Sequence, residues 1–373
     1  MRIGLVTKWI DEDYTGVGKY VRNLAQNLIE MDKRNDYYLV HGKESQDPIY
    51  KTAKEMRYKT SFGPLWVRSL NAFVKKNAEK LDVIHEPFIG ISAKADIKKV
   101  VSVHDITPLL FPSTVPLAFR LYFKHMMPKV LQGSDAIITV SEHTKKDVIE
   151  HFGVDKEKVH MIHVGCEMDF PDDAARAAAR KRLGPKSGTR RYCLMVGSML
   201  ATKNMAFGTR VFGEAVKAMG KEGEDLDLVI VGRQDQDTPN ILAAAKATGM
   251  EERLKMVSYI PWSEVCALYE GAALFLFPSL YEGFGRPPLE AMYVGVPTIC
   301  SNTSSIPEVV GDASILLGPK DEDAWTKAMI RVLTDEKERA RLIEKGKARS
   351  VAYPWSTCAE KTIAVYESLG KKA

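Results

Sequence analysis

Two carboxylates at a fixed spacing mark the strongest candidate site in this sequence. Glu282 and Glu290 lie eight residues apart, in and just after a loop that follows the apolar run 274–277. The loop contains Gly283 and Gly285, and the two prolines after it suit the first turn of a helix. The backbone N–H groups and the positive dipole end of a helix start suit a phosphate or a sugar hydroxyl. The sequence therefore predicts a ligand site here.

This pair of carboxylates leaves two interpretations open. An acidic residue just inside such a helix can accept hydrogen bonds from a ribose diol, as in dinucleotide-binding folds. In the structural alternative, Glu290 only complements the helix dipole and Glu282 is a solvated loop residue.

Histidine and cysteine give weaker signals. His85 and His163 stand at predicted strand ends, where we expect hydrogen-bonded structural roles rather than chemistry. The histidines show no metal-ligand spacing, and we expect no metal site. Five cysteines is an odd number, and no Cys-x-x-Cys pattern occurs. We therefore expect reduced thiols in a cytosolic protein, with neither a disulfide framework nor a zinc site.

Strands and helices alternate along the whole chain. Short apolar runs are separated by segments with helical spacing, which is typical of doubly wound parallel sheets. The predicted strands are 2–6, 37–40, 83–85, 100–104, 136–140, 159–164, 192–196, 228–231, 255–258, 274–277, 298–300 and 315–317. The predicted helices include 19–31, 142–151, 205–219, 262–271 and 288–294. Ligands of such sheets bind at the carboxyl ends of the strands.

The chain of 373 residues is long enough for two domains. Residues 166–190 have the composition of a linker, with an acidic start around Pro171, an Ala/Arg-rich helical piece and a glycine-containing end at 184–188. Each half would therefore hold its own α/β sheet, and two such sheets across a hinge make a cleft.

Composition and charge narrow the class of protein. Apolar residues make up 45% and charged residues 27%, which excludes disordered and collagen-like chains. No apolar run reaches the roughly 18 residues that a membrane-spanning helix needs. We therefore expect a cytoplasmic protein, either free or peripheral at the inner membrane face.

The basic charge is concentrated in the first half of the chain. Residues 1–165 hold 25 Lys and Arg against 20 Asp and Glu, which accounts for the net charge of +5. Residues 51–80 combine eight basic side chains with an apolar helical face formed by Trp66, Val67, Leu70, Phe73 and Val74. This pattern suits an anionic membrane surface or a phosphorylated partner, or else an ordinary helix with that face in the core. We expect no nucleic acid partner.

Along most of its length, the sequence resembles the retaining glycosyltransferases of family 4. The stretch from Glu282 to Glu290 is similar to the Glu-x7-Glu motif of that family. The other similar segments are, in chain order, the glycine loop Gly16-Val17-Gly18, the His-Asp strand end at His104-Asp105, the serine turn at Ser141-Glu142, the diphosphate loop from Gly197 to Asn204 and the tail around Trp355. The resemblance implies a GT-B fold, in which two Rossmann-like, doubly wound α/β domains face each other across a cleft.

The resemblance also implies which residues do what. Residues 1–170 would bind the acceptor and residues 171–354 the nucleotide sugar, with the C-terminal helix 355–370 packing back on the first domain. By position, Lys203 would bind the diphosphate, Glu282 the transferred sugar and Glu290 the ribose hydroxyls. The other implied donor contacts are Gly16 and Gly18 at the diphosphate, Ile260 near the base, the amides of Phe284 and Gly285 at the sugar, and Leu289 beside Glu290. With His104 near the C6 hydroxyl of the sugar, the implied catalytic set is His104, Lys203 and Glu282.

The implied activity is transfer of a hexose with retention of anomeric configuration. Attack would come from the front face through an oxocarbenium-like state, and the leaving phosphate would take the acceptor proton. Lys203 and the helix start would stabilise that phosphate without a metal or other cofactor. The motif variants are similar to those of bacterial mannosyltransferases, which implies GDP-mannose as donor and a glycan or lipid-linked acceptor in cell-surface polysaccharide or lipopolysaccharide synthesis. A UDP-hexose-dependent transferase and a nonenzymatic sugar-nucleotide-binding scaffold stay open as alternatives.

The diphosphate loop departs from the family pattern. The family usually places an arginine directly after the glycine or directly before the lysine, where this sequence has Ser198 and Thr202. Arg233 or Arg286 would have to supply the missing cation, and we favour Arg286. A dinucleotide-dependent oxidoreductase is disfavoured, because Val21 occupies the place of the third glycine in a Gly-x-Gly-x-x-Gly pattern.

Overall fold

The structure, a computed structural model, describes residues 1–11, 16–59, 66–88, 91–167, 173–183, 185, 191–258 and 260–370. The chain divides into two compact units, one of Met1–Gly165 with Tyr353–Ala373 and the other of Cys166–Ala352. The sequence placed these boundaries at 170/171 and 354/355. The acidic stretch 168–172 and most of the glycine-containing stretch 184–188 lie outside the described residues.

The first unit is a seven-stranded parallel sheet in the order β3-β2-β1-β4-β5-β6-β7. Its strands are β1 (Arg2–Val6), β2 (Asp36–His41), β3 (Lys54–Arg57), β4 (Val83–Glu86), β5 (Lys98–Val103), β6 (Ala136–Thr139) and β7 (Val159–Met161). Its helices are α1 (Gly16–Met31), α2 (Trp66–Asn77), α3 (Thr107–Leu110), α4 (Leu117–Gln132), α5 (Glu142–Phe152) and α14 (Trp355–Gly370).

The second unit is a six-stranded parallel sheet in the order β10-β9-β8-β11-β12-β13. Its strands are β8 (Arg191–Val196), β9 (Leu226–Val231), β10 (Leu254–Val257), β11 (Leu274–Phe277), β12 (Thr298–Ser301) and β13 (Ile315–Leu317). Its helices are α6 (Asp173–Leu183), α7 (Met205–Met219), α8 (Thr238–Thr248), α9 (Trp262–Gly271), α10 (Arg286–Tyr293), α11 (Ile306–Val310), α12 (Glu322–Thr334) and α13 (Glu336–Ser350).

Two elements differ from the sequence-based expectation. Strand β3 has no apolar signal, because it is a mostly exposed edge strand of charged residues, a composition that protects sheet edges from pairing with other chains. The Ala/Arg-rich piece assigned to the linker is helix α6 of the second unit. Arg176 and Arg180 on α6 both donate to Glu270 on α9, at 2.9 and 2.6 Å, so α6 is a packed part of that unit.

The apolar face of α2 belongs to the core of the first unit. Trp66, Leu70 and Phe73 are all at least nine-tenths buried, and Val74 is almost fully buried. Of the alternatives for the basic segment 51–80, the structure therefore supports an ordinary amphipathic helix whose apolar face packs inward.

A buried hydrogen-bond network ties α14 to the sheet of the first unit. His85 on β4 bonds Tyr366 through Nδ1 at 2.6 Å and Ser102 through Nε2 at 2.9 Å. Burial lowers the pKa of His85 to about 3, so its ring is neutral and has the structural role that the sequence favoured. The five cysteines are likewise buried thiols, and burial raises the pKa of Cys193 to about 12.

Candidate active site

The loop between β11 and α10 has the form that the sequence predicts, but its helix begins earlier. Helix α10 starts at Arg286 directly after Gly285, whose φ of +94° is a left-handed conformation that favours glycine. Pro287 and Pro288 follow inside the first turn and carry no N–H. This helix start can therefore offer a ligand the backbone N–H groups of Gly285 and Arg286, but not the N–H groups of a full first turn.

Lys203 and Glu282 are brought together. Their side chains form an ion pair with 2.6 Å between Nζ and Oε1, and 24% and 11% of the two side chains are exposed. Lys203 lies in the loop after β8, and Glu282 in the loop after β11, the neighbouring strand of the sheet. The two loops are also joined by a backbone bond, in which Leu280 N–H donates to Thr202 O at 2.7 Å.

Glu290 is nearly buried between two partners on opposite carboxylate oxygens. Tyr269 Oη donates to Oε2 at 3.0 Å, and the Arg286 guanidinium lies 3.1 Å from Oε1. Burial, together with the Glu290 charge, raises the pKa of Tyr269 well above its usual range. Each carboxylate oxygen can accept more than one hydrogen bond, so a diol can still be bound. The Leu289 side chain is completely buried, so a bound sugar nucleotide could contact only the backbone of Leu289.

The two candidates for the missing cation have different surroundings. Arg233 is largely exposed and pairs with Asp235 at 2.6 Å. Arg286 is 14% exposed beside Glu290, and its buried Nε has no hydrogen-bond partner among the described residues. Thr202, in the place of one family arginine, is almost fully buried. Arg286 therefore shares its surroundings with a predicted donor-binding carboxylate, whereas Arg233 does not.

In the first unit, His104 is held in one tautomer. Its Nε2 lies 2.9 Å from Pro87 O, and since a carbonyl can only accept, Nε2 carries the proton. Burial lowers the pKa of His104, so the ring is neutral and Nδ1 is a hydrogen-bond acceptor. The ring packs edge-to-face against Tyr20, with 4.6 Å between ring centroids.

The remaining predicted residues have mixed outcomes. Helix α1 begins at Gly16, three residues before the predicted start at residue 19. Gly16 and Gly18 therefore lie in the first turn of α1 and not in a loop. Ile260 is half-buried, two residues before α9. No pattern in the sequence indicated Tyr269, which lies on an apolar helix 21 residues before its partner Glu290.

The Asp-x-Asp pattern occurs four times in the sequence, once within residues 11–13, where no acidic side chain is described, and three times in described segments. Each of those three segments has a carboxylate with a partner in the protein: Asp225 pairs with Arg191, Asp235 pairs with Arg233, and Asp321 accepts from Ala324 N–H at the start of α12. In the part of the chain that the structure describes, no three His, Cys, Asp or Glu side chains are grouped as metal ligands would be.

Two family models cover most of the chain. The model described as Glycosyltransferase Family 4 matches residues 14–170, and the model described as Glycosyl transferases group 1 matches residues 178–349. The O-antigen chain mannosyltransferase B of Escherichia coli is 25% identical over 99% of this chain and 100% of its own length. An MMP alpha-(1->4)-mannosyltransferase of Mycolicibacterium hassiacum is 29% identical over 68% of this chain and 59% of its own length.

Solved structures with the same architecture cover nearly the whole chain. Sucrose-phosphate synthase from Thermosynechococcus elongatus has a TM-score of 0.77 at 19% identity, covering 99% of both chains. The Anabaena protein HepE, in complex with UDP and glucose, has a TM-score of 0.74 at 17% identity, covering 99% of this chain and 100% of HepE. These likenesses show the fold, which is GT-B with two Rossmann-like domains.

Proposed function

Because the chain belongs to the glycosyltransferases of family 4, we propose that it transfers mannose from GDP-mannose to a glycan or lipid-linked acceptor in the synthesis of a cell-surface polysaccharide or lipopolysaccharide. The observation that carries the proposal is the pairing of Lys203 with Glu282 beside the start of α10. The names of the Escherichia coli and Mycolicibacterium relatives support mannose.

The proposed mechanism follows from where charge develops. As the glycosidic bond breaks, negative charge grows on the leaving diphosphate, and Lys203, Arg286 and the start of α10 supply the positive potential there. These groups belong to the chain itself, so we propose a reaction without a metal cofactor. Glu282 holds sugar hydroxyls, Glu290 holds the ribose, and the Nδ1 atom of neutral His104 accepts from a sugar hydroxyl. Configuration is retained.

A UDP-hexose donor is the second candidate, favoured by the HepE structure with UDP and glucose. To distinguish the candidates, the protein is incubated without acceptor with each of four donors: GDP-mannose, UDP-glucose, UDP-galactose and UDP-N-acetylglucosamine. The nucleoside diphosphate that is released identifies the donor. We expect GDP release that Glu282→Gln abolishes and that Glu322→Gln, at an exposed ion pair of the same unit, leaves intact. Release of UDP instead supports the second candidate. Nucleotide binding without any release supports the scaffold alternative.

The proposal includes peripheral binding to an anionic membrane through α3 and α4. Leu110, Leu117 and Leu121 are exposed by 37, 66 and 47%, and the last two lie one turn apart on α4. Arg120 and Lys124 are exposed on the same helix. Each such cation near an anionic surface contributes about 1 kcal/mol. In the described residues, no helix is long and apolar enough to cross a bilayer.

Vesicle co-sedimentation tests this surface. We expect binding to vesicles that contain phosphatidylglycerol and little binding to neutral phosphatidylcholine vesicles. The double variant Leu117→Ser/Leu121→Ser should lose that binding, whereas Leu242→Ser, at an exposed leucine of α8, should keep it. Equal binding to both kinds of vesicle, or equal effects of these variants, would contradict membrane docking through α4.

A further inference from the structure

The loop that carries Glu282 is held by three hydroxyl groups from one segment, Thr303, Ser304 and Ser305, which we call the hydroxyl clamp. The clamp follows β12, the strand next to β11, so both segments leave the same edge of the sheet. Thr303 Oγ1 donates to Ser279 O at 3.1 Å and anchors the beginning of the loop. The other two hydroxyls contact the part of the loop that bears the predicted sugar-binding groups.

Ser304 and Ser305 hold the backbone of Glu282 from both sides. Glu282 N–H donates to Ser304 Oγ at 2.9 Å, and Ser305 Oγ lies 2.9 Å from Glu282 O and 3.0 Å from Phe284 O. Ser304 takes up a left-handed conformation, with φ of +50°, that few residues other than glycine adopt. Ser305 is fully buried, so its hydroxyl bonds to these carbonyls rather than to solvent.

The single Oγ–H of Ser305 is shared between these two carbonyls and so orients two amides. In a trans peptide the C=O and the next N–H lie in one plane and point in opposite directions. Anchoring Glu282 O therefore aims the N–H of Gly283, and anchoring Phe284 O aims the N–H of Gly285, away from Ser305. The same contacts set the backbone from which the Glu282 side chain extends to Lys203.

We propose that Ser304 and Ser305 are positioning residues for sugar transfer, which set the Glu282 carboxylate and the loop amides in the geometry that the transferred sugar requires. This inference rests on the proposed function. The residues act through the loop, so their loss should impair the reacting state more than the binding of a nucleotide without sugar. Nucleotide contacts are predicted at Lys203 and Glu290, neither of which the clamp touches in the described contacts.

The test compares Ser305→Ala with a matched control. Ser314 Oγ also donates to a buried backbone carbonyl of this sheet, Thr298 O at 2.9 Å, but away from the loop. Ser314→Ala should therefore lower thermal stability in the same way as Ser305→Ala. Ser304→Gly removes the oxygen that accepts from Glu282 N–H while suiting the left-handed backbone.

We expect Ser305→Ala and Ser304→Gly to lower kcat for GDP release from GDP-mannose by about 10- to 100-fold, the scale of an angstrom-level misplacement. Their Kd for GDP should stay close to that of the wild type, because GDP carries no sugar. Hydrogen exchange at the Glu282 amide should be faster in Ser304→Gly than in the wild type. If the wild type is active and Ser305→Ala is as active as Ser314→Ala, the positioning role of the clamp is overturned but the proposed function is not. A wild type that neither binds nucleotides nor cleaves any sugar nucleotide overturns the proposed function as well.

Discussion

Lys203 Nζ and Glu282 Oε1 lie 2.6 Å apart although 79 residues separate the two side chains in the sequence. The contact arises because β8 and β11 are neighbours in the sheet, and the loops after parallel strands leave the same edge. A cation suited to a diphosphate thus stands beside a carboxylate suited to sugar hydroxyls. A sugar nucleotide carries both a diphosphate and sugar hydroxyls, so it requires this juxtaposition.

Replacing Lys203 by alanine should weaken nucleoside diphosphate binding. A hydrogen bond to a charged group contributes about 1.5–3 kcal/mol, so the Kd for GDP or UDP should rise by roughly 10- to 100-fold in calorimetric titration. The control is Lys327→Ala, which removes a lysine from an exposed ion pair with Asp323 in the same unit. Equal affinities of the two variants would refute the role of Lys203.

Tyr269→Phe should reduce recognition of the ribose. The variant removes only the hydroxyl that donates to Glu290, so the carboxylate loses one of the two groups that orient it. We expect the preference for GDP over 2′-deoxy-GDP, or for UDP over 2′-deoxy-UDP, to fall in competition binding. Tyr192→Phe removes a buried hydroxyl that donates to Leu268 O in the same unit and should leave the preference unchanged. An undiminished preference in Tyr269→Phe would count against this role.

Arg286 should contribute to the preference for a diphosphate over a monophosphate. If its guanidinium replaces the missing loop arginine, Arg286→Lys keeps a positive charge beside Glu290 but loses the two-pronged geometry that suits phosphate. The ratio of affinities for GDP and GMP, or for UDP and UMP, should therefore decrease. Arg233→Lys, at the exposed alternative cation, should not change this ratio. The opposite pattern would assign the missing cation to Arg233.

The buried His85 should make the first unit less stable in acid. Its folded pKa of about 3 lies below the ordinary 6.5, so between these values the unfolded chain binds a proton that the folded chain does not. The free energy of unfolding must then fall as the pH decreases through this window. Urea unfolding at pH 7.5 and 4.5 should show a larger loss for the wild type than for His85→Gln. Equal losses would show that His85 does not contribute.

The fold was largely predictable because buried parallel strands are continuous apolar runs. Each of the twelve predicted strands has a counterpart in the structure. The apolar pattern fails at β3, whose exposed edge position permits charged residues, and at α6, whose composition resembles a linker although it packs on α9. Sheet order is not encoded in any local pattern, so the meeting of particular loops could not be derived from spacing.

The sequence predicted which residues could form the candidate site, but it did not predict the contacts that those residues make. The spacing of Glu282 and Glu290 and the resemblance to the family identify the residues, whereas the partners Tyr269 and Ser305 depend on tertiary packing. The Ser/Thr-rich run 301–305 was the available signal for the clamp. The resemblance to the family implied a loop at Gly16 and Gly18, yet both lie in a first helical turn, where the cost of glycine is small.

Thermal unfolding with GDP, UDP, ADP and CMP tests most directly whether the second unit binds a nucleoside diphosphate through Glu290 and Lys203. A ligand at 100 times its Kd stabilises the folded state by about 2.7 kcal/mol, which is easily measured. We predict that one nucleoside diphosphate, GDP in the first proposal, raises the melting temperature of the wild type. The rise should disappear in Glu290→Ala, compared with the ligand-free midpoint of that variant. If none of the four raises the melting temperature, or if Glu290→Ala responds like the wild type, Glu290 and Lys203 do not form the predicted nucleotide site.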